Sequence, residues 1–178
     1  FCNEILRPYR SKIIVAEVDT EGNFIWERQN MFENAHKVMK ALPLNDDEVL
    51  MLLSATALDE KFGGRGFFRQ VVKFNLKSKT FGNPKYYAKP TGSSPYADLI
   101  ASSRDTGTYF VCTISYLSDT DKTTNTTCGR IVKIDSELNE LWHKDYIYYP
   151  DNGRTINNFN TIIPVKGGHY LIGGYSNW

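Results

Sequence analysis

The sequence predicts an all-β chain folded as a β-propeller of four-stranded antiparallel blades, a partial propeller of about three blade equivalents. Three observations carry that expectation. Residues 13–176 repeat with a period of about sixty, a length suited to one four-stranded module. The string Val18-Asp19-Thr20-Glu21-Gly22-Asn23-Phe24-Ile25-Trp26 returns as Ile134-Asp135-Ser136-Glu137-Leu138-Asn139-Glu140-Leu141-Trp142, with a degenerate copy from Phe74 to Phe81. Apolar runs Val49–Ala55, Tyr109–Ser115 and Tyr170–Ser176 each follow a polar turn, at offsets of 60 and 61.

Each module reads as four strands. The first is Val38–Leu44, Asp98–Ser103 and Thr161–Val165; Pro43 and Pro164 share one repeat position at its end, where a missing backbone donor is tolerated. Residues 31–42 also place Phe32, Ala35, Val38, Met39 and Leu42 at helical spacing, but alignment with the other modules favours a loop entering a strand. The second strand is the apolar run itself. Its nearly unbroken apolar sequence fits a strand covered on both faces, and the small residues Ser54-Ala55 and Gly173-Gly174 at its end suit a close approach of backbones. The third strand is Ile13–Val18, Gln70–Phe74 and Arg130–Ile134, with alternation such as Val132-Lys133-Ile134. The fourth runs through Trp26, Phe81 and Trp142.

This arrangement gives a single region made of a half-blade at 13–28, blades at 38–88 and 97–149, and a half-blade at 160–176. Twelve strand positions amount to fewer blades than the usual four to eight, so the expectation is a portion of a longer propeller. Strand parity puts the short turns on one face. The longer connections 27–37, 56–67, 82–97, 116–129 and 144–159 then share the opposite face, where binding residues concentrate in scaffolds of this kind.

Composition narrows the function classes. Lys and Arg number 21 against 20 Asp and Glu, so no basic surplus is available to pair with phosphates and nucleic acid is not an expected partner. No apolar run approaches the ~20 residues of a transmembrane helix. The chain opens at Phe1 with neither an initiator Met nor a signal-type segment, which fits an export signal removed or never included.

The candidate chemical motifs have structural explanations. In D-x-x-G-x-x-x-W, Asp19 or Asp135 bonds backbone in a tight turn, Gly22 or Asn139 takes positive φ, and Trp26 or Trp142 buries an indole between blades. The string lacks the alternating acids of a calcium loop, so no metal is expected. Gly63-Gly64-Arg65-Gly66 lacks the Lys-Ser/Thr of a phosphate loop and reads as a flexible loop. Asn125-Thr126-Thr127 is a formal glycosylation sequon. His36, His143 and His169 occupy different repeat positions with no spacing that pairs one with a catalytic partner, and Asp46-Asp47 and Asp119/Asp121 fall in polar turns or loops. Hairpin register opposes Cys112 to Ile131 or Val132, a poor match for a bridge to Cys128, and Cys2 follows Phe1 with no lipobox.

The aromatic content of the long-connection face points instead to binding. Tyr86, Tyr87 and Tyr96 fall in one connection, Tyr146, Tyr148, Tyr149 and Phe159 around another, and Phe32 in a third. Such rings give flat apolar area with a polar tip, useful for gripping peptide or sugar, and also able to pack loops together.

With the modules aligned, Gly129 to Asp135 through Trp142, followed by Gly167 to Gly174, resembles the repeat of exported bacterial β-propellers. These include surface proteins and lipoproteins associated with type IX secretion and, more distantly, tryptophan-docked quinoprotein-like propellers. The resemblance implies the fold and an exported location at the cell surface, outer membrane or outside the cell. A quinoprotein would require a quinone cofactor and calcium-binding acids that no residues here match, so no cofactor is expected. The reading that follows is a non-enzymatic protein-binding or assembly module, with protein as the expected partner and carbohydrate as another. The alternative is a propeller enzyme, hydrolase or transferase, whose catalytic groups lie partly on further blades.

Overall fold

A computed structural model describes residues 12–32, 35–59, 64–91, 97–116, 127–147 and 156–177. Among them there is no helix, and so none long and apolar enough to cross a membrane. The strands are β1 (Lys12–Val18), β2 (Phe24–Met31), β3 (Ala35–Pro43), β4 (Glu48–Asp59), β5 (Gly64–Asn75), β6 (Thr80–Phe81), β7 (Lys85–Thr91), β8 (Asp98–Ala101), β9 (Tyr109–Tyr116), β10 (Thr127–Ile134), β11 (Glu140–Tyr146), β12 (Ile156–Val165) and β13 (His169–Asn177).

They form four antiparallel sheets, none closed. The first is β1-β2, the second is β3-β4-β5 with β6 and β7 both on β5, the third is β8-β9-β10-β11, and the fourth is β12-β13. All-β character and the four expected strand positions are therefore present. The extra strand arises where the second sheet's outer strand breaks at Gly82-Asn83-Pro84: Pro84 has no N–H to offer the ladder, and Gly82 N–H donates to the Lys73 carbonyl across the gap at 2.8 Å. Residues 35–43 are strand and not helix, and Pro43 and Pro164 both lie on strands that have, among the described residues, a single neighbour.

Two expectations are corrected. The connections 27–37 and 56–67 are largely strand: β2 runs to Met31, β3 begins at Ala35, and the β4–β5 ladder continues to Asp59↔Gly64. Each added pair satisfies backbone donors and acceptors that a loop would leave to water, so the ladder extends while both chains stay extended. Gly64 to Gly66 accordingly open β5, and Tyr86 and Tyr87 lie in β7. The second correction concerns positive φ, which falls on Leu138 (63°) rather than Asn139, while Gly22 (87°) conforms. Asp135 fixes this turn, its Oδ1 accepting from the N–H groups of Glu137 and Asn139 at 2.9 and 2.8 Å, as Asp19 does for Glu21 and Asn23.

The core lies in three apolar layers between successive sheets. Ile13 and Phe32, with Trp26 beside them, meet Met51, Leu53, Val72 and Phe74; on the other side of the same strands, Leu50, Leu52, Val71 and Tyr87 meet Leu99, Val111, Val132 and Ile134. The third layer joins Phe110, Cys112 and Ile131 to Ile162. Alternate side chains of β4 thus enter opposite layers, which is why its stretch from Val49 to Leu53 is apolar without a break. Each such fully buried side chain contributes roughly 1.5–3 kcal/mol. Asn157 ties the last two sheets at one end through Thr127: its N–H donates to Thr127 Oγ1 at 3.0 Å and its Nδ2 to the Thr127 carbonyl at 2.9 Å. Gly174 sits against the irregular ladder of β12, where an added Cβ would stand 1.9 Å from the Asn158 carbonyl oxygen; its smallness answers its own partner strand and not a neighbouring sheet.

Candidate functional site

The third sheet is four strands wide, and the fourth sheet that covers it has two. The uncovered part of the third sheet's face forms a cleft of about 430 Å³ beside β13. Its floor is apolar: Phe110 from β9, Ile131 from β10 and Trp142 from β11 face Ile162, Tyr170 and Ile172. The aromatic rings are mutually placed, Phe110 to Tyr170 edge-on at 4.8 Å between centroids and Phe110 to Trp142 tilted at 5.8 Å. Trp142 remains 39% exposed. Trp26, its counterpart in the repeat, instead stacks on Phe74 of the next sheet at 6.0 Å, under the Lys79 ammonium.

Polar groups from the short turns and from β10 and β11 rim the cleft. Lys133 pairs with Asp105 and stands 5.8 Å from the Phe110 ring centre; Lys144 holds the same distance over Trp142, and Arg104 donates to the Gly167 carbonyl at 3.3 Å. Tyr170 bridges the two sheets, accepting from the backbone N–H of Ser103 and lying 3.0 Å from its hydroxyl. Burial alone would raise the Tyr170 phenol, but hydrogen bonds at Ser102 and Ser103 and the charge of Arg104 leave it below the ordinary tyrosine value. The site can therefore offer ring faces and a basic rim to an extended apolar segment.

The inner ends of the sheets are fastened by a buried carboxylate. Asp98, which opens β8, takes Lys40 Nζ of β3 at 2.7 Å and the Ile162 N–H of β12 at 2.9 Å, so it holds three sheets together. Cys112 and Cys128 are buried and not joined in a disulfide, and Cys112 faces Ile131 as the hairpin register requires. Burial, followed by the nearby charge of Asp98, pushes the Cys112 thiol up to about 12, far from a reactive thiolate.

The aromatic residues expected to bind are dispersed. Phe32 is buried in the first layer with its ring edge-on to Phe81 at 5.4 Å, and Tyr87 is buried in the second, its hydroxyl donating to the Leu138 carbonyl. Tyr86 is exposed on β7. Tyr146 is exposed and tilts against Phe159 at 5.5 Å, so these two are brought together. Tyr96, Tyr148, Tyr149, Cys2, Asp119, Asp121, the Asn125 sequon and the side chain of His36 lie outside the described residues. Phe110, Trp142 and Tyr170 were missed as a group, and they lie by the short turns. The repeat register held the signal: Trp142 takes the place of Trp26, but among the described residues no third- and fourth-position strands pair beyond β13 to cover it. No family model matches the chain, and neither does any curated protein or solved structure.

Proposed function

We propose that the chain is a protein-binding or assembly module of an exported, cell-surface bacterial β-propeller, and that it takes its partner by strand addition along β13. The observation that carries this reading is the aromatic cleft of Phe110, Trp142 and Tyr170 beside a strand that has, among the described residues, one neighbour only. An incoming extended segment would gain ladder hydrogen bonds from β13 and lay alternate apolar side chains on the rings, the general mode of β-augmentation. The stacking of four antiparallel sheets in chain order, with β3, β8 and β12 joined at Asp98, supports the propeller reading. The exported setting rests on the resemblance of the repeat.

Displayed peptide libraries selected against the dilute chain test this reading. The expected winners are extended peptides with alternating apolar residues. Trp142→Ala should weaken their binding about 30-fold, the effect of losing an aromatic anchor of about 2 kcal/mol, with the far-ultraviolet circular dichroism unchanged. Peptides indifferent to Trp142→Ala, or enrichment of glycans without peptides, would contradict it.

A further inference from the structure

Both complete sheets pair their second and third strands in one register, Val49↔Phe74 in the second sheet and Tyr109↔Ile134 in the third. The repeat sets Tyr170 at the place of Tyr109 and Val18 at the place of Ile134. β13 is thus a second-position strand without a third-position neighbour, and β1 a third-position strand without a second-position neighbour, among the described residues. Side chains at matching positions differ in burial accordingly. Ile134 and Phe74 are 0% exposed and Val18 is 51%; Leu50 is 0% and Phe110 8%, whereas Leu171 is 60%.

We infer that β1 of a second copy of this chain pairs with β13, in the register Tyr170↔Val18, Ile172↔Ala16 and Gly174↔Ile14. The inference rests on the strand-addition reading above and names its occupant. Three features select a second copy. The two incomplete edges are complementary and both belong to this chain, so a twofold pair satisfies each edge of one copy with the opposite edge of the other. Counted over the described residues, two complete sheets from each copy and two composite ones make six, within the range in which four-stranded blades close a ring. Charge also matches: the β1–β2 hairpin carries Glu17, Asp19, Glu21 and Glu27 against Lys12 and Arg28, and the cleft and its flank carry Arg104, Lys133 and Lys144 against Asp105. In this arrangement the outward face of the hairpin, with Val18 and Phe24, covers Phe110 and Trp142.

Light scattering on the unaltered chain should give twice its 20.4 kDa mass, falling to a single mass on dilution. In oxidised samples the double variant Ala16→Cys with Ile172→Cys should form a covalent dimer. Neither single variant should do so, nor should the shifted pair Glu17→Cys with Ile172→Cys. A chain that stays monomeric at tens of micromolar, or an Ala16→Cys/Ile172→Cys bridge closed within one chain, overturns the inference. If such a monomer still binds extended peptides through Trp142, the strand-addition reading stands and only the second copy falls. Loss of both would end both.

Discussion

Asp98 shows how one carboxylate can hold distant strands. Its two oxygens accept from Lys40 Nζ and the Leu99 N–H on one side and from the Ile162 N–H and Thr161 hydroxyl on the other. Burial works to raise its pKa, but the hydrogen bonds from Lys40, Ile162 and Leu99 and the charge of Lys40 leave it below its ordinary value of 3.8. A depressed carboxyl contributes stability that is whole above the unfolded value and is lost as pH falls through the folded one. Asp98→Asn should therefore cost about 1–3 kcal/mol in denaturant melts at pH 7, because it keeps the shape and loses the charge-assisted bonds. The gap between the two proteins should narrow below about pH 4; an equal gap at pH 3 and pH 7 would remove the charge from the explanation. No motif marks Asp98 in the sequence, where it is only the first residue of a strand. Its role comes from two partners some sixty residues away on either side, a relation that spacing alone does not encode. Leu138 was illegible for a different reason. A branched residue is a poor choice for φ of 63°, and it is held there by burial of its side chain and by the Tyr87 hydroxyl on its carbonyl.

At the scale of elements, most of the strand order was legible. The alternation of β10 and the unbroken apolar run of β4 report which faces are covered, and the paired turns at Asp19 and Asp135 fix the register of the repeat. What the sequence concealed was strand length: polar residues such as those of Phe24–Met31 give no apolar signal, yet they extend because the partner strand continues. The two repeat tryptophans make the sharpest comparison. Trp26 lies on Phe74 of the adjoining sheet, and Trp142 stands over the open cleft. Trp26→Ala should cost about 2–3 kcal/mol of stability by thermal or chemical melting, and Trp142→Ala of the dilute chain less than about 1 kcal/mol. Equal losses would mean that the two indoles have the same surroundings.

At the scale of the molecule, the terminal sheets carry exposed apolar side chains, among them Ile14, Val18, Phe24, Ile163 and Leu171, that the same repeat positions bury or replace in the middle sheets. A run of exposed apolar residues beside an unpaired edge is a surface for association, specific or otherwise. The sequence indicated the half-sheets at both ends. It did not indicate that the last half-sheet would form one wall of the cleft, because that depends on how the sheets stack and not on the period. The claim that β1 and β13 are the surfaces through which the chain associates is tested most directly by amide hydrogen exchange at two chain concentrations, one low and one in the tens of micromolar. Protection should rise with concentration in Lys12–Val18 and His169–Asn177 while β4, β5, β9 and β10 stay constant. Exchange at those two strands that ignores concentration, or protection that rises on β8 or β11 in their place, would contradict it.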